Sequence, residues 1–182
     1  MNLIKLSTLL LTIISSNFIF ASDVTSKTTD EEVIAWATET AIAAYNYDAL
    51  SYKKKFTSLK NKFTKSGWDS FETALKDSGN LETVIKNNVV VSAYRNNPAK
   101  IESFTKNTKS ITWVVKVPTQ VTYVNESITM KQNMETYLTI DMTSSNNIML
   151  VQNINSTLVE PTVTAKSEPV PRPNCKIATS QN

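Results

Sequence analysis

The stretch Ile128-Thr-Met-Lys-Gln-Asn-Met-Glu-Thr-Tyr-Leu-Thr-Ile-Asp-Met142 alternates between apolar or small side chains and polar ones. Ile128, Met130, Gln132, Met134, Thr136, Leu138, Ile140 and Met142 fall on one face of an extended chain. Thr129, Lys131, Asn133, Glu135, Tyr137, Thr139 and Asp141 fall on the other. A period of two sustained over fifteen residues specifies a strand with one face in a core and the other in water. At ~3.3 Å per residue it measures about 50 Å, so it must bend or twist strongly to stay on one domain. Glu135 and Asp141 share the polar face with Lys131 and Thr139, which directs both acids to solvent.

Moving toward the N-terminus, Ile111, Trp113, Val115 and Val117 alternate with Thr112, Val114 and Lys116. Pro118 interrupts this run before Val121 and Tyr123 continue it. Lacking an N–H, Pro118 predicts a bulge or a strand edge at that point. Val89 to Tyr94 reads as a further strand and Ile101 to Phe104 as a weaker one. On the C-terminal side, Thr143 to Asn147 forms a turn and Ile148 to Leu158 returns as the closing strand. Short connections make consecutive strands antiparallel neighbours.

Before Asn88 the period is helical. Thr28, Thr29 and Asp30 offer N-cap oxygens, Glu31 and Glu32 place negative charge in a first turn, and Val33, Trp36, Ala37, Thr40, Ala41 and Ala44 form one stripe. The spacing predicts a long helix ending near Leu50. A second helix carries Phe56, Leu59 and Phe63 amid Lys53, Lys54, Lys55, Lys60, Lys62 and Lys65, with no acid from Tyr52 to Ser66. Ser66 is the predicted cap of a third helix, with Asp69 closing a capping box, Trp68, Phe71, Ala74 and Leu75 facing inward, and Gly79 as its left-handed stop. Leu81 to Lys86 adds a last turn. The fold class that follows is α+β, with N-terminal helices packed on one face of a curved antiparallel sheet.

Composition narrows the chemistry. Of 182 residues, none is His, one is Cys (Cys175) and two are Gly (Gly67 and Gly79), which removes His-based triads, His or multi-Cys zinc sites, intrachain disulfides and Gly-rich phosphate loops. No metal and no cofactor is expected. A net charge of +3 gives no basic surface suited to nucleic acid. Met1 to Lys5 is a short basic start, Leu6 to Phe20 is apolar but contains Ser, Thr and Asn, and Ala21-Ser22 supplies small residues. Residues 1–21 therefore read as a signal peptide, too short for the roughly 20 apolar residues a span needs. Residues 22–29 are a linker, 30–160 the folded domain, and 161–182 a flexible tail containing Pro161, Pro169, Pro171, Pro173 and Cys175.

The run from Trp36 through Tyr45, Tyr47 and Tyr52, followed by Phe63, Gly67-Trp68, Phe71, Leu75 and Asn80-Leu81, resembles the DotI/IcmL family of the type IVB (Dot/Icm) secretion apparatus. Trp113-Val-Val-Lys-Val-Pro118-Thr-Gln-Val-Thr-Tyr123 is similar to that family's central strand pair, and Ile148-Met-Leu-Val-Gln152 to its closing strand. The resemblance spans roughly Asp30 to Asn155. It implies a periplasmic domain of nuclear-transport-factor-two-like (cystatin-like) fold, with Asn147 replacing the glycine usual before the closing strand. Asn still tolerates a left-handed turn. Family members that build the apparatus carry a cytoplasmic segment and a membrane span before this domain, whereas five residues precede the signal-like stretch here. The expectation is a periplasmic or secreted paralogue that docks on the apparatus.

Two function classes follow. The first is a noncatalytic interaction protein whose partners are secretion components or further copies of itself. The second is a stand-alone small-ligand-binding or pocket-based enzymatic domain of the same fold. Without His, acid–base work would fall to Asp, Glu, Lys or Tyr, and no constellation of these stands out, so no residue is assigned as catalytic. Trp36, Tyr45, Tyr47, Tyr52, Trp68 and Trp113 read first as packing residues. The Lys53 to Lys65 cluster reads most simply as a solvated helix face. Its functional reading is a surface that meets an acidic partner or anionic lipid headgroups, with Lys53, Lys54 and Lys55 as the contact patch.

Overall fold

In the computed structural model, which describes residues 28–127, 129–143 and 147–159, helices come first and strands follow. The expected signal peptide, residues 22–27 of the linker, and the tail with Cys175 lie outside the described residues. The elements are α1 (Asp30–Ala44), β1 (Tyr47–Asp48), α2 (Tyr52–Lys60), α3 (Lys65–Asp77), α4 (Asn80–Lys86), β2 (Val90–Arg95), β3 (Lys100–Lys106), β4 (Ser110–Val124), β5 (Thr129–Thr143) and β6 (Met149–Val159).

β4 and β5 pair antiparallel over their full lengths, from Ser110↔Thr143 to Val124↔Thr129, and the register runs straight through Pro118↔Glu135. Pro118 therefore makes no bulge. On the opposite side β4 changes neighbour: residues up to Lys116 pair with β3, and those from Thr119 pair with β2. Pro118 occupies the gap, where its carbonyl accepts from the Asn96 N–H at 3.2 Å and no strand needs the N–H it lacks. The main strand order is β1-β2-β4-β5-β6, with β3 beside β4 below β2. Register shifts at Glu102 in β3 and Gln152 in β6 add bends at both sides of the sheet.

The concave face carries Trp113, Val115, Val117 and Val121 from β4 with Leu138, Ile140 and Met142 from β5, all buried. Val33, Ala37, Ala41 and Ala44 of α1 meet them; the alanines keep this helix face narrow, so its axis can approach the sheet closely. Each buried Val or Leu contributes ~1.5–3 kcal/mol to this packing. Among the described residues the three buried threonines are all hydrogen-bonded. Thr40 Oγ1 donates to the Trp36 carbonyl at 2.8 Å, Thr119 Oγ1 donates to that of Val117 at 3.1 Å, and Thr136 Oγ1 accepts from Ser156 Oγ at 3.0 Å.

The structure corrects the sequence reading of the helices in five places. α1 starts as expected, with a reciprocal capping box between Thr29 and Glu32, but ends at Ala44 rather than near Leu50. Tyr47 and Asp48 instead pair with Val91 and Val90, and the Asp48 carboxylate accepts from the N–H groups of Leu50 and Ser51, both at 2.8 Å. That local turn competes with helix and wins because the strand pairing supports it. Phe63 belongs to no helix: it follows α2 and forms a parallel bridge to Val151. Thr64, not Ser66, caps α3 by accepting from the Gly67 N–H at 3.0 Å, and Asp69 pairs with Lys65 rather than closing a box. Ala74 is exposed. Gly79 does adopt the left-handed conformation, at φ 65°, and so does Asn147, at φ 53°.

Candidate functional site

Residues 61–64 fix the α2–α3 pair onto the sheet. Val151 N–H donates to the Lys62 carbonyl at 2.8 Å and Thr64 N–H donates to the Val151 carbonyl at 2.9 Å, so the edge of β6 is capped at its bend. α3 then lies directly on β6. A methyl group at Gly67 would stand 2.5 Å from the Val151 oxygen and 2.8 Å from that of Gln152, closer than any side chain is tolerated. With α3 anchored this way and α2 turned by the Asp48 loop, a groove of about 340 Å³ opens between the two helices.

Its floor is aromatic. Phe56 lies edge-on to Tyr47, Tyr52, Trp68 and Phe71, with ring centres 5.1, 6.1, 6.2 and 6.0 Å away, and Trp68 contacts Phe63 at 5.7 Å and Phe71 at 5.5 Å. These geometries are favourable for packed rings. Phe56 and Trp68 are 9% and 6% exposed, so the floor is recessed, while Tyr52 and Phe71 are half-buried at the walls. Trp36 and Tyr45 are likewise half-buried, whereas Tyr47 and Trp113 are in the core.

Of the three lysines singled out from the sequence, the structure brings only Lys53 to the groove. Phe56, Thr57 and Lys60 stand with it at i+3, i+4 and i+7, on one face of α2; Lys54 and Lys55 are exposed on the rest of the helix. Lys60, part of the same lysine-rich run in the sequence, is the other lysine on this face, seven residues from Lys53. Lys53 Nζ lies 5.9 Å from the Tyr52 ring centre and Lys60 Nζ 6.0 Å from that of Trp68. Neighbouring lysines are neutralised, Lys62 by Glu39 at 2.7 Å, Lys65 by Asp69 at 2.8 Å and Lys76 by Glu72 at 3.3 Å. Among the described residues Lys53, Lys54, Lys55 and Lys60 make no such pair, leaving α2 positive beside the aromatic floor.

The acids of the long strand β5 and Lys116 of β4 lie elsewhere, in ion pairs and hydrogen bonds on the convex face. Lys116 Nζ donates to Glu135 at 3.0 Å, Tyr137 donates to the second oxygen of that carboxylate at 2.8 Å, and Glu102 links Lys116 to Lys100. The Lys116 hydrogen bond, followed by that of Tyr137, holds the Glu135 carboxyl below the usual carboxylate range. Asp141 accepts from Thr112 at 2.6 Å and from the Gln152 amide. A second cavity of about 340 Å³, between α4 and the β4–β5 connection, is lined by neutral groups, among them Asn80, Asn87, Asn125, Gln132 and Tyr123. Burial pushes the Tyr123 hydroxyl up. Among the described residues no cluster of acids and thiols could hold a metal, and no helix is long and apolar enough to cross a membrane.

This arrangement of helices on a curled sheet is that of periplasmic domains from type IV secretion systems. The periplasmic domain of DotI superposes with a TM-score of 0.68 at 28% identity, over 72% of this chain and 96% of that one. An IcmL-like type IV secretion system protein from Legionella pneumophila superposes with a TM-score of 0.65 at 27% identity, over 73% and 95%. A periplasmic fragment of TraM, at 18% identity and a TM-score of 0.64 over 72% and 98%, shares the fold. Residues 22–159 match the model of the DotI/IcmL family, described as a type-IV b secretion system, inner-membrane complex component, and the chain belongs to that family. No curated protein matches it.

Proposed function

We propose that this protein is a noncatalytic accessory of a type IVB secretion system, exported by a signal peptide over residues 1–21 and acting in the periplasm, or after secretion, by protein contacts. Family membership across 22–159 carries this reading. The site chemistry supports it: the acids of β5 are held in ion pairs and hydrogen bonds rather than converging on a cavity with a base. The contacts are to apparatus components or to further copies of the chain, with Lys53, Lys54 and Lys55 contributing a positive surface. The neutral cavity beneath α4 favours a second reading, a small-ligand-binding domain.

The experiment is affinity capture of the tagged protein from gently solubilised native envelopes, with mass-spectrometric identification against a tag-only control. Reproducible recovery of secretion components is the expected result. An intact, folded protein that recovers none of them would transfer the assignment to the ligand-binding reading.

A further inference from the structure

We infer that the groove between α2 and α3 is a docking slot for a partner-protein segment that inserts an aromatic or branched apolar side chain between acidic residues. This rests on the protein-contact reading above and specifies its surface. The floor formed by Phe56, Trp68 and Phe71 offers apolar area, and about 340 Å³ suits an anchoring side chain rather than a whole helix. Lys53, over the Tyr52 ring at the groove's wall, and Lys60, over Trp68 of its floor, form no ion pair among the described residues. The acids of the opposite helix form their ion pairs elsewhere, Glu72 with Lys76 and Asp69 with Lys65, and Lys60 acts on Asp69 only as a more distant, minor charge. A segment with Asp or Glu on either side of its anchor supplies the missing charge, and Lys54 and Lys55 raise the local positive potential.

The recess separates this partner from two others that lysines and aromatic rings attract. Membrane insertion needs several apolar side chains that protrude together. Beside the α2 lysines Leu50 protrudes, at 94% exposed, whereas the groove's own Phe56 and Trp68 are recessed at 9% and 6%, and the vesicle arm of the test below reads this alternative directly. Stacking of single-stranded nucleic acid needs exposed ring faces, whereas Phe56 and Trp68 are recessed among neighbouring rings at 9% and 6% exposed.

The test uses the full chain and the synthetic peptide acetyl-Gly-Asp-Glu-Phe-Glu-Asp-Gly-amide, titrated by NMR with the Trp68 indole N–H as reporter. Binding is expected to shift that signal, to weaken as salt is raised, and to be lost when the peptide's acids become Lys or its Phe becomes Ala. The K53E/K60E variant should bind roughly tenfold more weakly, while K54E/K55E changes affinity under about threefold. Both substitutions lie on exposed positions, and the milder K53Q/K60Q should show the same order with a smaller loss. No shift at millimolar peptide, equal binding of the Lys-containing peptide, or Lys53- and Lys60-dependent binding to phosphatidylglycerol vesicles in place of peptide would each overturn the slot. Envelope capture separates the two levels. If K53E/K60E still recovers the secretion components that the unmodified protein recovers, the slot falls and the accessory role stands; if the unmodified protein recovers none, the role itself falls.

Discussion

Trp68 and Gly67 are adjacent in the chain and support α3 in opposite ways. Trp68 fills space, with rings on several sides and 6% of its surface exposed. Trp68→Ala is expected to destabilise the domain by ~3–5 kcal/mol in a denaturant titration, and a loss below about 1 kcal/mol would contradict its burial. Gly67 leaves space for the carbonyls of β6. Gly67→Ala forces a methyl into backbone oxygens at 2.5 and 2.8 Å, and an overpacking loss of ~1–3 kcal/mol is expected in the same titration. At Gly79 a methyl meets nothing within 4 Å, so Gly79→Ala reports only the left-handed backbone, at ~1–2 kcal/mol. The two glycines were both visible in the sequence, but only Gly79 could be given its reason there. A stop after a helix is a local property, whereas the close approach of Gly67 to Val151 depends on residues 84 positions away.

Between elements, α1 is tied to the far side of the sheet by the side chain of its C-cap residue, Tyr45. The Tyr45 hydroxyl is bonded to Ser156 of β6, which donates to Thr136 of β5. Burial is the main cause that pushes the Tyr45 and Tyr47 hydroxyls above the ordinary phenol range. A raised folded-state value favours the neutral phenol in the fold. Its contribution is therefore full below the unfolded value of ~10 and is lost as pH rises through the folded value. Tyr45→Phe is expected to cost about 1 kcal/mol at neutral pH, the usual net value of one hydrogen bond, and to move the alkaline unfolding midpoint upward by removing one late-titrating phenol. Circular dichroism across a pH series checks both, and no change in either would mean that the hydroxyl contact is absent in solution. The strand alternation of β4 and β5 was legible because a half-buried strand repeats every two residues. The two-residue β1 was not, since its pairing with β2 is specified by Val90 and Val91 rather than by any pattern within Tyr47-Asp48.

For the molecule as a whole, the proposed export has the simplest readout. Protein recovered from the cell envelope is expected to begin at Ser22, as measured by intact mass and N-terminal peptide mapping. A chain retaining Met1 would mean that the first 21 residues are kept, and the export reading would have to be rebuilt around an uncleaved segment.

The sequence by itself determined the α+β class, the face of each long strand that turns inward, and the stop at Gly79, because each follows from periodicity or from one residue's backbone. Family landmarks such as Gly67-Trp68 were also readable in linear order. Tertiary structure decided where α1 ends, how Pro118 is accommodated, and which lysines share a site. The end of α1 depends on a strand partner more than forty residues away, and Pro118 is tolerated because β4 changes neighbours there. The lysine run looked uniform along the chain. Only the packing of α3 beside α2 places Lys60 over Trp68, brings Lys53 to the same groove and leaves Lys54 and Lys55 outside it, since helix neighbours are set by three-dimensional packing and charge alone carries no direction.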